Sequence, residues 1–65
     1  MALHLKAARV NAGLKQIEAA KALEIHKNTL ISYEQYRTIP DVEMARKMAK
    51  LYGMSVDDII WTAES

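Results

Sequence analysis

Lys27, Asn28, Thr29, Ser32 and Gln35 gather an ammonium, two carboxamides and two hydroxyls into one nine-residue stretch, KNTLISYEQ. At about 100° per residue along a helix, Asn28, Ile31, Ser32 and Gln35 share one face, opposite Leu30 and Tyr33, with Lys27 at the leading end. A solvated helix face is ordinarily rich in Glu and Lys. This one is short, polar and almost uncharged, a set of donors and acceptors suited to reading the hydrogen-bonding edges of another molecule. Upstream, Gln16 stands at a helix start, where its amide can donate to an anionic oxygen beside the free N–H groups of the first turn. Catalysis has no comparable constellation. No nucleophile sits beside a histidine in a recognisable arrangement, there is no glycine-rich phosphate loop, and Asp57-Asp58 reads as first-turn helix charge. The chain is therefore not expected to be an enzyme. With no cysteine and with His4 and His26 far apart in the chain, neither a metal nor a cofactor is expected.

Positioning that polar face falls to two short helices and a tight joint. QIEAAKAL (Gln16–Leu23) leads through Glu24-Ile25-His26 into Lys27–Gln35. Ala19, Ala20 and Leu23 make a narrow apolar stripe, and Ala20 has the small side chain that a steep helix crossing requires. Around this unit, helix one is expected over about Leu3 to Ala12, with Leu5 and Ala8 inward and Gly13 as a left-handed cap. The loop Tyr36-Arg37-Thr38-Ile39-Pro40 separates the unit from helix four, Val42 to Tyr52, capped by Asp41. Val42, Ala45, Met48, Ala49 and Tyr52 form its apolar stripe, and Gly53 ends it. Ser55-Val56-Asp57-Asp58 then opens a short fifth helix through Trp61. No stretch alternates like a strand. The expectation is an all-α single domain over residues 1–65, a compact bundle of five short helices.

Composition agrees with that size. Sixty-five residues allow one domain, which buries only about 60% of its unfolded surface. The absence of cysteine fits a reducing compartment, and neither a membrane-length apolar run nor a signal-peptide pattern is present, so a soluble cytoplasmic protein is expected. The net charge is only +1, but it is unevenly distributed. Residues 1–38 carry six Lys/Arg against three Glu, and residues 39–65 carry three Lys/Arg against five Asp/Glu. The positive half contains the two-helix unit, which favours an anionic partner there.

Taken in order, Arg9, Gly13-Leu14-x-Gln16, Ala20, Asn28-Thr29-Leu30, Glu34, Pro40 and Gly53-Met54-Ser55-Val56-Asp57 resemble the XRE family of helix-turn-helix domains. That family comprises phage repressors, Cro-type regulators and related small bacterial transcription factors, and the resemblance runs from about Leu5 to Ile60. It implies a lambda-repressor-like fold with the helix-turn-helix at helices 2 and 3, and a sequence-specific regulator of transcription, a repressor of the phage kind, acting on double-stranded DNA. It also implies residue roles. Lys27, Asn28, Thr29 and Ser32 would contact bases in the major groove, where Asn pairs bidentately with adenine and Lys donates to guanine. Lys15, Gln16, Arg37 and Thr38 would contact phosphates. Arg9 would bridge to Glu34 and set the angle of the recognition helix, with a phosphate contact as its secondary role, while Gln16 would brace a recognition-helix side chain.

Four residues depart from the family pattern. Glu24 and Tyr36 stand where glycine is usual in a left-handed joint, and Lys15 and His26 stand at helix-capping places that usually hold Ser or Thr. These departures imply modest intrinsic stability, reinforced by dimerisation or by DNA. One domain covers about half of an operator, so a homodimer is expected. Ile59, Ile60 and Trp61, three large apolar residues in a row, are its expected interface. The competing reading is a protein-interaction module, such as an antitoxin or accessory subunit on the same fold, motivated by the weak net charge, Ile17 and the apolar C-terminal segment.

Overall fold

A computed structural model describes residues 2–63 of the chain. Strand β1 (Leu3–His4) leads directly into α1 (Leu5–Asn11), followed by α2 (Gln16–Leu23), α3 (Lys27–Glu34) and α4 (Val42–Tyr52). A single 3-10 turn at Val56–Asp58 then leads into β2 (Ile59–Ile60). The two strands pair in parallel, Leu3 opposite Ile59 and His4 opposite Ile60.

The expected all-α bundle of five helices is thus corrected to four helices closed by a short strand pair. Helix one starts at Leu5 rather than Leu3 because Leu3 and His4 are committed to the ribbon. The expected fifth helix shrinks to one turn. Ser55 Oγ accepts from the Asp57 N–H at 3.3 Å, but the β-branched Ile59 and Ile60 that follow take extended geometry. A strand's alternation then sends Ile59 into the core and leaves Ile60 half-buried at the surface.

All four helices end in the same way. The residue after each last turn is left-handed, and two backbone bonds close the end, for example Arg37 N–H to the Ser32 carbonyl at 2.9 Å and Tyr36 N–H to Tyr33 at 3.1 Å. Gly13 and Gly53 fill two of these positions, where positive φ carries no side-chain penalty. The other two are Glu24 (φ 59°) and Tyr36 (φ 61°), at about 1–2 kcal/mol each for a side-chain-bearing residue. These two strained joints flank α3.

The helix starts divide in the same uneven way. Asp41 caps α4, its Oδ1 accepting from Met44 N–H at 2.8 Å. Neither Lys15 nor His26 makes a side-chain cap bond, and the start of α2 is closed from the other direction, by Glu18 Oε1 accepting from the Lys15 N–H at 2.8 Å. The core collects Leu5, Ala8, Ala19, Ala20, Leu23, Leu30, Met48, Ala49, Tyr52 and Ile59. Ala19 and Ala20, both buried, are what let α2 cross close to its neighbours. Val42, expected in the buried stripe of α4, is instead 68% exposed, because the first turn of that helix projects past the end of the core.

Candidate nucleic-acid interface

A bracket of polar groups behind α3 fixes how that helix sits. Arg9 Nε donates to Glu34 Oε2 at 2.6 Å and Nη2 to Oε1 at 3.3 Å, while Nη1 donates to the Leu14 carbonyl at 2.8 Å. Gln16 Nε2 donates to the same Glu34 Oε1 at 3.0 Å. One carboxylate at the end of α3 therefore gathers α1 and the first residue of α2, and Arg9 ties in the turn between them. The pair is sealed from solvent, with side chains 7% and 3% exposed. A bidentate guanidinium–carboxylate contact adds direction as well as attraction, so it holds an angle better than a single bond would. Arg9 is 6% exposed and commits its guanidinium to Glu34 and Leu14, in keeping with an orienting role.

Behind the bracket lies Tyr52. Its hydroxyl is buried and, among the described residues, has no hydrogen-bond partner. Burial pushes this phenol up to about 12, the Glu34 charge adding to the rise and Arg9 opposing it.

In front of the bracket, α3 presents its outer face. Lys27 and Asn28 are exposed, Thr29 and Ser32 are half-buried, and Leu30 is buried in the core. Ile31 is half-buried on the flank. Of the four expected base-contacting residues, then, two are open to solvent and two partly covered. Lys15 is exposed at the start of α2 and Gln16 half-buried beside it. Engagement with Glu34 orients the Gln16 amide while leaving its oxygen and one N–H uncommitted. Arg37 and Thr38 are exposed in the loop that follows α3.

The expected interface residues are separated. Ile59 is 4% exposed and belongs to the core of its own domain, so it cannot form a contact between copies. Trp61 folds back, its Nε1 donating to the Val56 carbonyl at 2.9 Å, yet it and Ile60 stay half-exposed. Trp61 borders an apolar groove with Pro40, Val42, Ala45, Arg46 and Val56.

One polar cluster has no counterpart in the sequence reading. Tyr36 OH donates to the Ile60 carbonyl at 3.2 Å and lies 2.6 Å from His4 Nδ1. The only available hint was a tyrosine at a joint where a glycine was expected. Among the described residues there is no group of acidic, His or Cys side chains fit to hold a metal ion, and no helix long and apolar enough to cross a membrane.

Two short helices joined by a three-residue turn, the second held by the Arg9–Glu34–Gln16 bracket, define a helix-turn-helix domain. The helix-turn-helix family model matches residues 5–59, and the chain belongs to that family, the XRE type. It is 33% identical over 57 residues to the cryptic phage CTXphi transcriptional repressor RstR of Vibrio cholerae, covering 88% of this chain and 51% of that protein. With the HTH-type transcriptional regulator ImmR of Bacillus subtilis (strain 168) it shares 41% identity over 56 residues, 86% of this chain and 44% of ImmR. An uncharacterized HTH-type transcriptional regulator of Methanocaldococcus jannaschii is 34% identical over 55 residues, 85% of this chain and 83% of that protein. The chain spans about half the length of the first two relatives. No solved structure matches it.

Proposed function

We propose that this chain is a sequence-specific, double-stranded-DNA-binding regulator of transcription, a repressor, that inserts α3 into the major groove. The observation that carries the reading is the polar outer face of α3 held at a fixed angle by the Arg9–Glu34–Gln16 bracket. Base edges are read by side chains from the first turns of such a helix, and a fixed angle is what turns adjacency into register. Lys27, Asn28, Thr29 and Ser32 read bases; Lys15, Gln16, Arg37 and Thr38 hold phosphates. The relatives named as repressor or regulator support the same conclusion.

The working form is a homodimer, because two copies reach successive major grooves about 34 Å apart. Support comes from the apolar groove beside Trp61, with Val42 on its rim and Ile39 exposed next to Pro40. Charge is self-complementary there. Arg46 lines the groove, Asp57 and Asp58 continue from Val56, and none of the three has an ion-pair partner among the described residues.

Selection of binding sites from random duplex DNA tests the whole reading. The expected result is a two-fold-symmetric consensus. Lys27→Ala with Asn28→Ala should then weaken binding to it at least tenfold, at about 1–3 kcal/mol per lost base contact. Recovery of no sequence above background, or a double variant that binds the consensus like the parent, overturns it.

A further inference from the structure

The Tyr36 cluster joins parts of the chain that the DNA-reading geometry otherwise leaves unconnected. Tyr36 follows α3 by two residues, and its hydroxyl meets His4 in β1 and Ile60 in β2, which are themselves partners in the strand register. A phenol has a single proton. With that proton donated to the Ile60 carbonyl, the phenol oxygen accepts from His4 Nδ1–H, so both contacts are made at once. The His4 and Tyr36 rings also pack at 5.8 Å between centroids. Downstream the loop is short. Arg37 N–H is tied back to the Ser32 carbonyl, Arg37 and Thr38 face solvent, and Pro40 is buried.

We infer that Tyr36 is a positioning residue for the phosphate-contacting loop: its hydroxyl anchors the joint after α3 to the terminal strand pair and so fixes where Arg37 and Thr38 are presented to DNA. The inference rests on the DNA-binding reading and deepens it. A glycine at position 36 would relieve the left-handed strain, but the loop would then be fastened to α3 alone. The tyrosine supplies a second, independent fastening on the opposite side of the loop. Its strained backbone and its two distant partners make sense together as one device.

Tyr36→Phe keeps the ring and deletes both hydrogen bonds. Phosphate contacts do not depend on sequence, so a mixed-sequence 20-base-pair duplex at low salt is a sufficient probe. The variant should bind it several-fold more weakly, and its log–log salt slope should fall by about one, the signature of one lost phosphate contact. Arg37→Ala should cost less affinity in the Tyr36→Phe background than in the parent, because both changes act on the same contact. Amide hydrogen exchange on the free protein reads the tether without DNA, and should speed up at Arg37 and Thr38 in Tyr36→Phe. Parental affinity and slope in Tyr36→Phe, strict additivity with Arg37→Ala, or unchanged exchange in the loop would each overturn the inference. Failure of the DNA reading looks different: the parent itself would bind no duplex, and the exchange measurement would still decide whether the tether holds the loop.

Discussion

Arg9 and Glu34, 25 residues apart in sequence, form a two-pronged ion pair that solvent barely reaches, and Gln16 shares one of the carboxylate oxygens. In a domain whose core is otherwise aliphatic packing around Tyr52, this pair is the directional element between α1 and α3. Aliphatic packing can slide; a guanidinium fork on a carboxylate cannot do so without breaking a bond.

Removing one partner leaves the other charge buried and uncompensated. Arg9→Ala is expected to cost about 3–5 kcal/mol, a large share of the stability of a domain of this size. Replacing both residues with apolar ones of similar volume, Arg9→Met with Glu34→Leu, should recover most of that loss while the angle of α3 becomes less fixed. Urea denaturation measures the first effect. A single Arg9→Ala change within about 0.5 kcal/mol of the parent would show that the pair is not sealed as described.

The two strained joints should respond oppositely to glycine. Glu24 makes no side-chain hydrogen bond or ion pair among the described residues that would offset its positive φ, so Glu24→Gly should stabilise by up to about 1 kcal/mol, or about 4–8 °C in Tm. Tyr36→Gly relieves the same strain but loses the bonds to Ile60 and His4 and a half-buried ring, and should lower Tm. Calorimetry of the two variants side by side checks the contrast; a gain in both would mean the Tyr36 contacts contribute nothing.

Tyr52 is expected to make stability fall at alkaline pH. In the folded domain its phenol is pushed up to about 12 from the ordinary value of 10.0. Above pH 10 the unfolded chain loses this proton while the folded one keeps it, so the unfolded state binds fewer protons and stability falls with rising pH. The slope reaches at most about 1.4 kcal/mol per pH unit over the window from about 10 to 12. Tyr52→Phe removes the titrating group and an unpartnered hydroxyl. It should be as stable as the parent at neutral pH, or more stable by about 1 kcal/mol, and should flatten the alkaline decline. Melts from pH 8 to 11.5 decide this, and identical alkaline profiles for the two proteins would rule out Tyr52 as the group responsible.

Self-association is best probed where folding is not at stake. Val42 is exposed and sits on the rim of the Trp61 groove, so Val42→Glu should leave the monomer's Tm unchanged within the usual range for surface changes, about 0.5 kcal/mol. Sedimentation equilibrium should show the dimer weakened at least tenfold. If the parent and Val42→Glu sediment alike as dimers, the groove is not the contact.

The two central helices were legible almost to the residue, because Gln16, Glu24 and Lys27 mark changes of chemistry that the backbone obeys. Helix four was equally clear in its borders, which Asp41 and Gly53 set, but its first apolar residue was misassigned, since periodicity reports a face and not where the core ends. The C-terminal turn and strand were missed for a different reason. Ser55 with acidic residues two and three places on caps a 3-10 turn as readily as an α-helix, and the partner that holds Ile59 extended is Leu3, at the other end of the chain. Nothing local announces such a pairing. Within the candidate site, the Arg9–Glu34 bracket could be expected from resemblance. The partners of the Tyr36 hydroxyl could not, because they exist only once the strands have met.

The parallel strand pair gives the domain a particular response to force. Tension applied through residue 2 at one end and residue 63 at the other pulls β1 and β2 in opposite directions along their own axes, loading their ladder bonds together in shear instead of one after another as in unzipping. Ile59 is at once a strand residue and a core residue, so the pair cannot give way without uncovering the interior. A force drawing the two ends apart therefore loads the strand pair first, ahead of the helices that the core and the Arg9–Glu34 pair hold together.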